Sequence, residues 1–181
     1  QLNFFRADMK KLMILLSTLL LTACLGMPKQ VQPVNNFQLE RYLGTWYEIA
    51  RLDHSFERGL SHVSANYSRL PNGQVRVLNR GYSEQKQAWK DIEGKATFIK
   101  TPDIGHFKVS FFGPLYSSYV ITDLDESYQY ALISGYNHSY LWILARQPQI
   151  PDAVKNRLIA KAQSLGFDTH QLIFVQHASP K

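Results

Sequence analysis

The chain holds one thiol, Cys24, and six histidines at positions 54, 62, 106, 138, 170 and 177. These are the residues on which nucleophilic, metal or haem chemistry would have to rest. The histidines form no H-x-H or H-E-x-x-H set, and Ser134-Gly135 lacks the earlier glycine of a G-x-S-x-G elbow. Asp53 and His54 are neighbours in sequence, which does not make their side chains face one another. A single cysteine supports neither an internal disulfide nor a multi-cysteine zinc site. We therefore expect no enzyme activity, no metal and no cofactor. A haem carrier and an envelope lipid hydrolase are the rival readings.

The surroundings of Cys24 give the thiol a different use. Met9-Lys10-Lys11 is a basic start, and Leu12 to Leu21 is a ten-residue apolar run, short of the ~20 residues of a membrane span. Leu21-Thr22-Ala23-Cys24 then resembles the lipobox of bacterial lipoprotein precursors. The resemblance implies that residues 1–23 are removed and that Cys24 becomes an acylated N-terminus, a membrane anchor of several chains. Leu25 after the cysteine, rather than Asp, implies sorting to an outer membrane, with the barrel domain on the periplasmic side. Residues 1–8 read as sequence upstream of the initiator. Cleavage would remove three cations and one anion and leave 158 residues at a formal +4, against +6 for the whole chain. With no basic block beyond the Lys10-Lys11 pair, nucleic acid is not expected as a partner. Residues 24–36, polar and with two prolines, read as the lipidated cysteine and a linker reaching up to roughly 40 Å.

Residues 37–181 must supply a fold. Aromatics make up 13% and charged residues only 19%, the composition of a packed domain rather than a disordered chain. Alternating segments recur at short spacing: 45–52, 62–70, 74–82, 89–99, 106–112, 117–122, 129–136 and 140–146. Asn72-Gly73, Gly113-Pro114 and Asn137-His138 lie between some of them, and Asn-Gly is a strong hairpin signal because both residues tolerate positive φ. The pattern predicts an all-β protein, an eight-stranded up-and-down antiparallel barrel. Val154, Leu158, Ile159, Ala162 and Leu165 fall at helical spacing before Gly166, so one C-terminal amphipathic helix packs outside. Residues 172–176 read as a last short strand.

Three motifs then resemble those of lipocalins. Gly44-Thr45-Trp46 is similar to the G-x-W signature of their first strand, Thr122-Asp123 with Tyr128 to their second motif, and Leu144-Ala145-Arg146 to their third. The 53–59, 110–114 and 140–144 segments resemble the bacterial outer-membrane lipoprotein branch, close to apolipoprotein D-like members. The resemblance covers residues 37–177. Gly44, Trp46, Thr122, Asp123 and Arg146 are accordingly structural, with Trp46 plugging one end beneath the Arg146 guanidinium. It implies a cavity for fatty acids or lysophospholipids. Strand parity and polar exceptions in apolar faces nominate Phe56, Asn79, Phe112, Tyr116, Tyr119 and Trp142 as ligand contacts. An aromatic rim would also suit a homodimer. Secreted relatives tie the tail to the barrel by disulfides; here packing must serve.

Overall fold

A computed structural model describes residues 25–177; the signal segment and Cys24 lie outside the described residues. Eight antiparallel strands follow one another around a closed barrel: β1 Gly44–Arg51, β2 Leu60–Arg69, β3 Val75–Ser83, β4 Ala88–Phe98, β5 His106–Phe112, β6 Leu115–Leu124, β7 Tyr130–Ser134 and β8 Leu141–Ala145. β1 pairs with both β2 and β8, which closes the sheet and removes its edges. The expected eight strands and their order are all present.

Pleat parity divides the wall into two faces. Trp46, Tyr67, Val77, Phe107, Ile133 and Leu144 point inward and form one apolar cluster. Ile49, Ala50, Val120, Leu132 and Ile143 point outward and meet a second helix, α2, at Asp152–Ser164. Leu158 and Ala162 of α2 are fully buried there, and Gly166 ends the helix at φ +88, a left-handed conformation that glycine adopts without a Cβ clash. The first helix, α1 at Leu39–Tyr42, is one turn long and has too few residues to show a period in sequence. It lies under the barrel and closes that end.

The tail explains how this chain does without a disulfide. A two-residue strand, β9 at Ile173–Phe174, pairs with Ala50 and Arg51 of β1. Beyond it the Val175 N–H donates to Ile49 O, the His62 N–H donates to Gln176 O, and His177 Nε2 stands 2.7 Å from Glu48 O. The tail is thus stitched to both β1 and β2 where their direct pairing stops at Tyr47 and Ser64.

The segment read as a free linker is partly fastened. Val31 is wholly buried in the cluster under α2, and Val34 forms backbone hydrogen bonds with Ile121 and Gly105. Its polar composition concealed this, because a few residues, Val31, Val34 and the buried Pro28, hold the attachment while Gln30, Gln32, Asn35 and Asn36 around them face water.

Candidate functional site

The even-numbered strands run from the open end of the barrel to the closed end and the odd-numbered strands the other way. The closed end is built by the family-type motifs. Trp46 is fully buried, its Nε1–H donates to Tyr42 O at 2.8 Å, and the Arg146 guanidinium lies 4.1 Å above its ring. Arg146 also donates to Thr45 O, Arg41 O and Tyr128 O, which ties α1, β1 and the β6–β7 turn together. Gly44 sits at φ +93, and a Cβ there would stand 3.4 Å from Arg146 Nη1. Thr122 is buried, and Asp123 accepts from Arg157 of α2 at 2.9 Å.

Above this plug the barrel is filled by aromatics. The Tyr119 hydroxyl meets those of Tyr42 at 2.7 Å and Tyr67 at 2.8 Å. Burial raises all three phenols above their ordinary range, so they stay protonated donors. A gap of about 10 Å³ beside them, lined by Leu39, Val75, Ala96 and Phe107 as well, has room for roughly one water.

The upper half differs. β4 pairs with β5 only through residues 95–98, so residues 88–94 rise beyond that partner. Ile92 shares the inward face with Asn79, yet it is 36% exposed, so the inner wall there is open to solvent. Gly94 lets the Phe111 ring cross this wall, since a Cβ would stand 2.7 Å from it.

Opposite lies a buried charged cluster. A bulge between Glu48 and Ala50 turns both Glu48 and Arg51 inward, and their side chains meet at 2.7 Å. Arg51 also donates to Glu57 O and Leu60 O, which holds the 52–59 loop over the opening. Trp142 Nε1–H donates to Glu57 Oε2 at 3.0 Å, and His54 Nε2 lies 2.9 Å from the same oxygen. Burial, reinforced by the Glu57 charge, raises the Glu48 carboxyl well above its usual range against the pull of Arg51. Arg51 Nε, His54 Nδ1 and Asn79 Oδ1 are buried without a protein partner.

The sequence-predicted contacts are not all in one place. Asn79, Tyr119 and Trp142 face the interior. Phe56 is at the opening, 57% exposed, stacked on His54 at 3.9 Å. Phe112 stands at the β5–β6 tip and is 70% exposed. Tyr116 alternates with the inward Ser117 and Tyr119 and so falls on the outer face, where Lys108 Nζ lies 5.2 Å from its ring centroid. It drops out of the proposed contacts; proximity to Ser117-Ser118 in sequence ignored the pleat. Glu48, Arg51, His54 and Glu57 were missed. Glu48 shares the face of Trp46, a charge where an apolar residue is expected, and that signal was readable; the bulge that brings Arg51 beside it was not.

Barrel, plug, outer helix and one-ended opening define a lipocalin. The chain belongs to that family: its lipocalin-like domain matches residues 37–177. It is 52% identical over 169 residues to outer membrane lipoprotein Blc of Vibrio cholerae, covering 93% of this chain and 99% of that protein. It is 50% identical over 149 residues to outer membrane lipoprotein Blc of Escherichia coli K12, covering 82% and 84%. Mouse apolipoprotein D is 30% identical over 152 residues, covering 80% and 79%. Among solved structures, insecticyanin from the tobacco hornworm superposes with a TM-score of 0.67 at 21% identity, covering 84% of this chain and 87% of that one, which bears on the fold alone.

Proposed function

We propose that this lipocalin is an outer-membrane lipoprotein, anchored through Cys24 with its barrel in the periplasm, that binds fatty acids or lysophospholipids rather than catalysing a reaction. Similarity to proteins named outer membrane lipoproteins supports the location. The observation that carries the ligand class is the pairing of an inner wall open to solvent at Ile92 with buried polar atoms lacking protein partners. The Arg51 Nε–H suits a carboxylate or phosphate oxygen, and Asn79 Oδ1 accepts from a hydroxyl. The acyl tail gains about 0.8 kcal/mol per methylene buried. Phe56 and Phe112 flank the entrance, Trp142 lines the wall, and Tyr119 marks the floor.

Native mass spectrometry of the detergent-free protein tests this directly. A bound lipid of acyl mass, or micromolar uptake of added palmitate with quenching of tryptophan fluorescence, is expected. A protein that carries no lipid and takes up none in that range overturns the carrier reading.

A further inference from the structure

The polar cluster inside the upper barrel sets two carboxylates against one guanidinium. Glu48 and Arg51 come from β1, Glu57 and His54 from the loop above it, and none of the four is more than 7% exposed. Arg51 Nη1–H donates to Glu48 Oε1, and its Nη2–H groups donate to the Glu57 and Leu60 carbonyls. The Glu57 carboxylate accepts from Trp142 Nε1–H and lies beside His54 Nε2, whereas Glu48 has only the guanidinium as its cation.

The other ionisable groups around Glu48 bring no further charge to it. Tyr67 below it, and Tyr42 and Tyr119 beyond, are held protonated by burial. His177 of the tail meets the Glu48 carbonyl from outside the wall with His62 behind it, and burial pulls the His177 imidazole below its ordinary range. Asp53 and Arg58 pair with each other on the exposed side of the loop. Lys90 shares the inward parity of Ile92 but stands exposed at the mouth. With both carboxylates ionised the cluster would be a buried net negative charge, which is costly. One proton restores the balance, and burial together with the Glu57 charge places it on Glu48.

Arg51 Nε–H is the guanidinium donor left over, buried without a protein partner. An anionic headgroup that accepts from it draws on the same positive charge as Glu48. Two anions would share one cation if Glu48 were ionised; a protonated Glu48 leaves the cation to the headgroup.

We propose that Glu48 gates the cavity by charge: an anionic headgroup binds at Arg51 while Glu48 holds a proton, so that anionic lipid and proton bind together, whereas uncharged lipid binds independently of pH. The proton passes between solvent and the Glu48 carboxylate, and no bond of the lipid changes. This inference rests on the carrier reading above and adds to it the group that selects the charge of the ligand.

Calorimetric titration of the detergent-free protein tests it with two lipids that carry the same lauroyl chain. Lysophosphatidylglycerol keeps one negative charge throughout, and monolauroylglycerol has none. Affinity for lysophosphatidylglycerol should fall by about tenfold or more between about pH 5.5 and about pH 8.5, while that for monolauroylglycerol changes by less than about twofold. Titration in buffers of different ionisation enthalpy counts the protons. Uptake approaching one proton per lysophosphatidylglycerol is expected at the alkaline end, and none for monolauroylglycerol. Glu48→Gln, neutral at every pH, should lose both slope and uptake and bind lysophosphatidylglycerol more tightly than the parent at the alkaline end. His54→Gln removes the neighbouring imidazole and should keep the slope, which decides the matter if Glu48→Gln does not fold. A parent without slope, a slope that survives Glu48→Gln or vanishes in His54→Gln, or an equal slope with monolauroylglycerol overturns the proposal. If both lipids bind and neither responds to pH, the carrier stands and only the charge gate falls. If neither binds at any pH, the carrier reading fails and the inference falls with it.

Discussion

Replacing Trp46 by alanine tests the closed end most severely. The side chain is fully buried, it packs on Tyr42 with ring centroids 4.7 Å apart, and it carries the Arg146 guanidinium on its other side. Truncating a large buried aromatic costs roughly 3–5 kcal/mol through lost transfer energy and the cavity left behind. The upper half of that range applies here, because the Tyr42 carbonyl also loses the indole donor. For a domain of roughly 150 residues, about 4–5 kcal/mol corresponds to a fall in Tm on the order of 10–20 °C. Trp46→Phe keeps most of the packing and loses the hydrogen bond, so about 1–2 kcal/mol is expected. Urea unfolding followed by far-UV circular dichroism measures both. Unchanged stability in Trp46→Ala, or equal losses in the two variants, would refute the plug.

Glu48 makes stability depend on pH. Burial and Glu57 raise its carboxyl in the folded state, so folding holds a proton that the unfolded chain releases, and stability falls as pH rises above the ordinary carboxylate range. Glu48→Gln removes that slope. The stability difference between variant and parent should move towards the variant from about pH 5 to about pH 8, and a constant difference in denaturation midpoints would contradict it. Gly94→Ala should destabilise by about 1–3 kcal/mol, since the new Cβ stands 2.6 Å from Ser110 O and 2.7 Å from the Phe111 ring. A denaturation midpoint equal to the parent's would show that the wall yields freely. Asn79→Leu removes a buried oxygen without a partner and should gain about 1 kcal/mol of stability while weakening lysophospholipid binding by calorimetry. Unchanged affinity would take Asn79 out of the site.

Alternation with turn residues is a local property, so the barrel strands, the helix to Gly166 and the Gly44-Trp46 to Arg146 closure were legible in the chain itself. Interior positions followed where the pleat ran unbroken, as for Asn79 on β3, which shares the inward face of Val75 and Val77. They failed where adjacency replaced parity, as at Tyr116, and where a bulge shifted the count, as between Glu48 and Arg51. A bulge depends on how two strands pair, and no window along one strand contains that information.

The amino-acid order alone therefore determined the family, the barrel, the plug and the expectation of a lipid anchor at Cys24, because period and motif spacing are set by covalent neighbours. Tertiary structure decided the rest: the fastening of Val31, the tail joined to β1 and β2, the buried Glu48–Arg51–Glu57 cluster and the apolar rim around the opening. Each arises from segments far apart in the chain, and only closure of the barrel gives them a common place.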